Sequence, residues 1–232
     1  MVKDLIVFDM DGVLVEVTES YRATIQAVVK HFTGYEPTRP EIQDWKNRGG
    51  WNDDWLLSHA MIKAQGGTAT YEEVVAYFQK LFLGENNDGQ DKEAMIMREQ
   101  WIAKDGLFDR LAANYHLAVF TGRLRSEAYI TLNRFLPGVF TTVIGSDDVV
   151  NPKPHPEGLL TIFTLTDHGK CWYIGDTVDD ARAGNAAAVR FIGIAAPANP
   201  RYEELVRLLK GEGAVAVLDD INGLEAVLAQ NL

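Results

Sequence analysis

Cysteine is almost missing from this 232-residue sequence, and Cys171 alone cannot form an internal disulfide. Apolar runs of about 18 residues or more are also missing, which excludes a membrane-spanning helix. The first apolar run ends at Asp9, too early for the core of a signal peptide. Basic residues number 22 against 33 acidic ones, and the net charge of −11 disfavours binding to nucleic acid or to anionic membranes. We therefore expect a soluble protein of the cytoplasm.

Hydrophobic residues make up 47% of the chain, enough to build a globular core. Short apolar runs typical of buried strands alternate with amphipathic, helix-like stretches. The runs are Leu5–Phe8, Leu117–Phe120, Thr142–Ile144, Trp172–Ile174, Arg190–Ile194 and Ala214–Leu218. This alternation predicts an α/β fold, with a doubly wound, Rossmann-like parallel sheet that carries helices on both faces.

The region 16–104 has a different pattern, without convincing alternating runs. Its apolar residues follow helical spacing, as in Tyr21, Ile25 and Val28. Glycine and proline breakers divide it into about four helices. We therefore predict a Rossmann-like core formed by residues 1–15 and 105–232, with an all-helical cap domain inserted at 16–104. Hinges between the two are expected near 15–18 and 103–106.

Two carboxylates, Asp9 and Asp11, directly follow the first predicted strand, and Gly12 allows a tight turn after them. An ionised aspartate can attack phosphorus and form an aspartyl-phosphate. A second aspartate nearby can protonate the leaving oxygen and later deprotonate the attacking water. The alternative interpretation is an aspartate pair that only caps a turn.

Groups that suit a phosphate follow two further apolar segments. Thr121 and Gly122 end the second predicted strand, where a hydroxyl and a glycine amide can bind phosphate oxygens; Thr121 could instead cap the next helix. Lys153 stands between two prolines, and its ammonium could neutralise a nucleophile and phosphoryl oxygens. The alternative for Lys153 is an exposed loop lysine.

An acidic cluster formed by Asp176, Asp179 and Asp180 follows another predicted strand. Several carboxylates at a strand end suit a hard divalent cation such as Mg²⁺. Capping of a helix N-terminus by Asp179 or Asp180 is a compatible second interpretation. Because ligands of open α/β sheets bind at the carboxyl ends of the strands, we expect the four motifs to meet in one crevice.

The order of these motifs resembles the haloacid dehalogenase superfamily, and the helical insertion resembles the small cap of its subfamily I, which includes phosphoglycolate phosphatase-like enzymes. The resemblance implies that Asp9 is the nucleophile and a Mg²⁺ ligand, and that Asp11 is the general acid and base. It also implies that Asp11 binds Mg²⁺ through its backbone carbonyl. Asp176 would be a further metal ligand, and Asp180 would hold a metal-bound water or Lys153, a duty that Asp179 could share.

The resemblance also implies which groups bind phosphate. These are the Thr121 hydroxyl and the Gly122 amide, with Lys153 neutralising charge. Arg123 is not universal in the superfamily, and it could add a phosphate contact or pair with an acid of the cap. Because Asp11 stands two residues after the nucleophile, unlike in the dehalogenases, dehalogenation is rejected.

The implied function is a Mg²⁺-dependent phosphomonoesterase that uses an aspartyl-phosphate and acts on a small phosphorylated metabolite. Phosphoglycolate, histidinol phosphate or a sugar phosphate would fit, and the protein would be a monomer or homodimer. A phosphomutase of the β-phosphoglucomutase type is the alternative. A remote alternative is a non-enzymatic phospho-aspartate switch module.

The core would contact only the phosphate, so we expect the cap to select the substrate. In a chain this acidic, an anionic substrate needs local positive charge, which favours Arg22, Lys46 and Arg48 as specificity residues. The competing interpretation is that these are solvated surface charges and that the neighbouring tryptophans, such as Trp45, form the core of the cap.

Overall fold

The computed structural model describes residues 2–230. By internal contacts the chain divides into two compact units. Unit 1 comprises Met1–Val15 and Trp101–Leu232, and unit 2 comprises Glu16–Gln100.

Within residues 2–230 the chain forms eight strands. They are β1 (Asp4–Phe8), β2 (Val15–Glu16), β3 (Gln100–Trp101), β4 (Tyr115–Phe120), β5 (Thr142–Ile144), β6 (Cys171–Gly175), β7 (Arg190–Ile194) and β8 (Ala216–Leu218). Six of them form a parallel sheet in the order β5-β4-β1-β6-β7-β8. The two-residue strands β2 and β3, which the sequence pattern did not predict, pair with each other.

The same part of the chain forms ten α-helices. They are α1 (Ala23–Thr33), α2 (Arg39–Asn47), α3 (Asp54–Ala64), α4 (Tyr71–Leu83), α5 (Leu107–Asn114), α6 (Arg125–Phe135), α7 (Glu157–Leu165), α8 (Val178–Ala186), α9 (Tyr202–Gly211) and α10 (Leu224–Leu228). Short helical turns cover Thr18–Arg22, Met95–Arg98, Ser146–Asp148 and Ile221–Gly223.

Alternate residues of β1 enter two separate hydrophobic clusters. Ile6 and Phe8 pack with side chains of α5, α6 and α10, whereas Leu5 and Val7 pack with side chains of α7, α8 and α9. Because successive side chains of a strand point to opposite faces, the two clusters lie on the two faces of the sheet. The predicted doubly wound α/β core is therefore confirmed.

Unit 2 contains α1–α4, and its mainly aliphatic core includes a group of three aromatic side chains. The rings of Tyr21 and Phe82 lie 4.0 Å apart between centroids, and Phe78 lies 5.9 Å from Tyr21. Threonine capping boxes begin two of the helices: Thr38 with Glu41 at α2, and a second pair at α4. Such boxes satisfy backbone N–H groups that a helix start would otherwise leave unpaired.

Among the described residues, the longest α-helix spans 13 residues, and none of the helices is long and apolar enough to cross a membrane.

Candidate active site

Three neighbouring strands of the sheet end close to chemically reactive residues. β1 lies between β4 and β6, and all three run parallel. Asp9 follows β1 directly, Thr121 follows β4, and Asp176 follows β6. Parallel strands place their carboxyl ends at one edge of the sheet, so these residues share that edge.

Asp9 is buried, with 4% of its surface exposed, at the point where β1 leaves the sheet. Its backbone N–H donates to the carbonyl of Ile174 at 2.8 Å, and its Oδ1 accepts from Nζ of Lys153 at 2.9 Å. Burial raises the pKa of Asp9 to about 7, against the opposing attraction of Lys153 and with added repulsion from Asp180 and Asp11. The effect of burial on the pKa of Asp9 thus outweighs the attraction of Lys153, which only partly offsets it.

Lys153 donates from Nζ to Oδ1 of Asp180 at 2.7 Å as well, so one ammonium joins two carboxylates. Its side chain is 1% exposed, and Nζ lies 4.8 Å from the centre of the Phe120 ring. Burial alone would lower the pKa of Lys153, but Asp180 and Asp9 raise it above its usual value. Lys153 is thus a buried cation and not an exposed loop lysine.

Asp180 is fixed by its place in the first turn of α8. Burial would raise its pKa, yet Lys153 together with hydroxyl hydrogen bonds lowers the pKa of Asp180 below its usual value. Thr177 is the N-cap of α8, and Asp180 completes the capping box, with its Oδ2 accepting from the Thr177 N–H at 3.0 Å. Tyr173 donates from Oη to the other oxygen, Oδ1, at 2.5 Å. The N-cap is thus Thr177 and neither of the two aspartates predicted to cap the helix, although Asp180 contributes to the capping box from N3. The metal-site interpretation of the motif stays a prediction.

Carboxylate oxygens of Asp9, Asp176 and Asp180 lie within 4.8 Å of one another. Three converging hard oxygen donors suit Mg²⁺. Gly12, at φ +76°, leaves the space beside this cluster open: a Cβ there would come within 2.2 Å of Oδ2 of Asp176. The residues present therefore fit a divalent cation. The buried Asp179, which adjoins Asp180, is outside this group of oxygens.

Asp11 is engaged by Arg123, across 112 residues of chain. Nε of Arg123 donates to Oδ1 of Asp11 at 2.9 Å, Nη2 donates to the same oxygen, and Nη1 donates to Oγ1 of Thr131 at 2.9 Å. The guanidinium side chain is 1% exposed and that of Asp11 is 29% exposed. The partner seen here, Asp11, was not one of the two considered for Arg123, and a contact with a phosphate or with an acid of the cap stays a prediction.

Thr121 is buried, and its Oγ1 accepts from the Arg123 N–H at 3.2 Å. The helix that follows, α6, has Leu124 at its N-cap position, so Thr121 does not cap it. The Thr121-Gly122-Arg123 segment is therefore a turn that leads from β4 towards α6. The phosphate-binding roles of Thr121, Gly122 and Arg123 stay predictions.

The predicted specificity residues all belong to unit 2. Nζ of Lys46 lies 2.6 Å from Oδ1 of Asp54, and both side chains are at most 9% exposed. Arg48 is exposed, and its guanidinium carbon lies 5.3 Å from the centre of the Trp45 ring. Nη1 of Arg22 is buried without a hydrogen-bond partner in the described part of the chain. Of the three, Lys46 is already neutralised by a buried partner.

Two aromatic residues of the site were missed by the sequence analysis. Tyr173 and Phe120 were interpreted only as apolar strand residues, yet both contact the ion pairs of Lys153. A signal for Tyr173 was present, because a tyrosine in a fully buried strand needs a hydrogen-bond partner for its hydroxyl. No comparable signal exists for Phe120.

Comparison with known proteins identifies the family of the chain. The sequence model of the haloacid dehalogenase-like hydrolase family matches residues 6–194. The chain therefore belongs to the haloacid dehalogenase-like hydrolases, which confirms the resemblance inferred from its motifs.

Individual relatives cover different shares of the chain. An imidazoleglycerol-phosphate dehydratase of Phytophthora nicotianae is 31% identical over 201 residues, which are 83% of this chain but only 43% of that protein. The chain thus spans less than half the length of that relative. A phosphoglycolate phosphatase of Salmonella typhi is 24% identical over 239 residues, covering 94% of this chain and 90% of that protein.

The solved structures show the same fold. A phosphonoacetaldehyde hydrolase-like protein from Oleispira antarctica superposes with a TM-score of 0.75 at 15% identity, covering 99% of this chain and 92% of that one.

Proposed function

We propose that this chain is a Mg²⁺-dependent phosphomonoesterase that works through a phosphorylated Asp9. The observation that carries the proposal is the buried ammonium of Lys153, held between Asp9 and Asp180 beside a cluster of three carboxylates. Such a site favours a nucleophilic carboxylate and an incoming dianion together. A relative named phosphoglycolate phosphatase, covered over 90% of its length, supports the same chemistry.

In the first step, a carboxylate oxygen of Asp9 attacks phosphorus, and the bond from phosphorus to the ester oxygen breaks. Asp11 gives its proton to the departing oxygen, so an alcohol leaves and Asp11 becomes a carboxylate. In the second step, Asp11 takes a proton from water while that water attacks phosphorus. The bond from phosphorus to Asp9 breaks, and inorganic phosphate and free Asp9 result.

The remaining groups of the site balance negative charge and orient the phosphoryl group. Lys153 balances the charge of Asp9 and of the phosphoryl oxygens. The Thr121 hydroxyl and the Gly122 N–H, which follow β4, would donate to those oxygens. When Mg²⁺ is bound, the carboxylates of Asp9, Asp176 and Asp180 and the carbonyl of Asp11 would hold it, and it would supply further neutralisation of the phosphoryl charge.

We also propose that unit 2 is a cap that selects the substrate. Arg48, exposed beside Trp45, and Arg22 are the basic residues proposed to bind the anionic part of the substrate, because Lys46 already pairs with Asp54. The substrate is a small phosphomonoester. One relative's name refers to phosphoglycolate and another's to an imidazole-bearing phosphate, so both chemistries are candidates together with sugar phosphates.

Phosphate release with Mg²⁺ across a panel of esters tests the proposal. The panel holds phosphoglycolate, histidinol phosphate, sugar phosphates, nucleotides and p-nitrophenyl phosphate, with Asp9→Asn as the control variant. We expect turnover that disappears in the variant and after chelation of the metal. No release from any ester, with no transfer to a second sugar hydroxyl, contradicts an enzymatic role; transfer without release makes the protein a phosphomutase.

A further inference from the structure

Each of the three nitrogens of the Arg123 guanidinium donates a hydrogen bond to another side chain of the protein. Nε and Nη2 donate to Oδ1 of Asp11, and Nη1 donates to Oγ1 of Thr131, a residue of α6 with no exposed surface. The backbone on either side is also held: the Arg123 N–H donates to Thr121, and the Arg123 carbonyl accepts from the Ser146 N–H at 2.8 Å. The position of this cation is therefore set by the fold and not by a substrate.

Both guanidinium bonds to Asp11 end on the same oxygen. A guanidinium only donates hydrogen bonds, so Oδ1 of Asp11 must act as an acceptor. A proton on Asp11 can then reside only on Oδ2, and rotation of the carboxyl group is restricted by the pair of donors. Asp11 lies directly before Gly12 and its side chain is 29% exposed, so the two bonds from Arg123 restrain a carboxyl group that is partly open to solvent.

We propose that Arg123 is a positioning residue that fixes the Asp11 carboxyl group and makes Oδ2 the oxygen that gives up and takes back the proton. This inference rests on the proposed function, in which Asp11 is the general acid and base. It differs from the phosphate contact that the sequence suggested for Arg123, because three of its five N–H groups donate to protein oxygens, two of them to Asp11. Arg123 itself touches neither the substrate nor the reacting atoms.

The dependence of kcat/KM on the leaving group distinguishes positioning of the Asp11 acid from direct binding of the phosphate. For esters the value of kcat/KM covers the steps up to the departure of the alcohol, where Asp11 acts as an acid. An alkoxide leaving group needs that proton, whereas 2,4-dinitrophenolate leaves without it. A defect in the acid therefore affects alkyl and phenyl phosphates and spares 2,4-dinitrophenyl phosphate, while a lost phosphate contact affects all of them equally.

The experiment compares Arg123→Met and Thr131→Val with the wild-type protein on this series of esters. For Arg123→Met we expect kcat/KM to fall about 100-fold on phenyl and alkyl phosphates, the usual range for general acid catalysis, and less than about 3-fold on 2,4-dinitrophenyl phosphate. Thr131→Val removes the hydroxyl that holds Nη1 and should give the same pattern at about 3- to 10-fold. On an Asp11→Asn background, Arg123→Met should add little.

Arg110→Met is the matched control, because Arg110 also forms a two-nitrogen pair with a carboxylate, Glu225, but at an exposed site. This substitution should leave kcat/KM unchanged for every ester of the series. An equal loss across the series, or no loss, for both Arg123→Met and Thr131→Val overturns the inference while leaving the proposed function intact. A wild-type protein without turnover overturns the proposed function and the inference with it.

Discussion

Nζ of Lys153 lies 2.9 Å from Oδ1 of Asp9, although 144 residues of chain separate the two. The contact joins the end of a central strand to a loop between two prolines. Because the same ammonium also binds Asp180, one positive charge faces two buried carboxylates. With Asp176 nearby, the cluster has an excess of negative charge that favours binding of a divalent cation.

Replacing Lys153 tests how far the site depends on this cation. Lys153→Met leaves Asp9 and Asp180 buried without their shared partner, a change that typically costs about 3–5 kcal/mol of stability. Urea unfolding measures this loss, and phosphate release should fall at least ~100-fold. The deficit in stability should shrink towards pH 5, where Asp9, with its pKa raised to about 7, is protonated. Lys170→Met, at an exposed position, is the control; an equally small effect of both variants contradicts the charge argument.

Gly12 provides a second test, because the effect of its replacement on the proposed metal site can be separated from the effect of backbone strain. In Gly12→Ala a Cβ would lie 2.2 Å from Oδ2 of Asp176, so that carboxylate must move. Gly138→Ala carries a nearly equal φ of +75° but meets nothing within 4 Å. Both substitutions should lower the free energy of unfolding by about 1 kcal/mol, because alanine is strained at a positive φ. Only Gly12→Ala should weaken Mg²⁺ binding about tenfold or more by calorimetry, and similar Mg²⁺ affinities for the two variants would refute the proposed ligand role of Asp176.

The affinity for Mg²⁺ should rise with pH. Burial raises the pKa of Asp9 to about 7, so below that pH a proton competes with the cation for its carboxylate. Proton competition at this pKa makes binding about tenfold tighter at pH 8 than at pH 6. Calorimetry in buffers of different ionisation enthalpy should show up to one proton released per Mg²⁺ bound at pH 6. Asp9→Asn should flatten the profile; a wild-type affinity independent of pH contradicts the assignment.

The same shift has a consequence for the metal-free protein. The folded-state pKa of Asp9 lies above its ordinary value of 3.8, so the unfolded chain binds fewer protons than the folded one between about pH 4 and 7. Stability without metal should therefore decrease as the pH rises through this window. Mg²⁺ should restore most of the lost stability at pH 8 and should add little stability at pH 5.

The sheet was predictable because its signals are local. Buried parallel strands appear as short apolar runs, and the expected run ending at Phe8 coincides with the end of β1. Strand starts were less well placed: β4 begins at Tyr115, two residues before the predicted run, and the polar-tipped Tyr115 and His116 carry no apolar signal. The edge strand β8 begins at Ala216, because the Ala214 N–H instead bonds the end of α9.

The partners of charged side chains were less predictable than the motifs. That Asp9, Lys153 and Asp180 meet follows from the topology of a parallel sheet. The pair of Arg123 with Asp11 does not, because it depends on where a turn after β4 points a long side chain. Likewise Lys46 could not be assigned to Asp54 from spacing, since eight residues and a loop separate them across the start of α3.

Arg48 is a proposed specificity residue, and its test distinguishes substrate recognition from chemistry. Its guanidinium is exposed beside Trp45, whereas the neighbouring Lys46 is committed to Asp54. A charge-assisted hydrogen bond contributes about 1.5–3 kcal/mol, so Arg48→Ala should raise KM for the preferred ester about 10- to 100-fold. KM for p-nitrophenyl phosphate should change no more than about 2-fold and kcat for both should stay nearly constant, since the bond is made equally in the ground and transition states.

Steady-state kinetics with the two substrates makes the measurement, and Lys63→Ala, which removes an exposed cation from α3, is the matched control. Equal changes in KM for both esters would assign Arg48 to general attraction of anions and not to recognition of the substrate. A fall in kcat at constant KM would be inconsistent with general attraction of anions and also with recognition of the substrate. Such a change reports an interaction that is made only in the transition state, which we expect of the groups around Asp9.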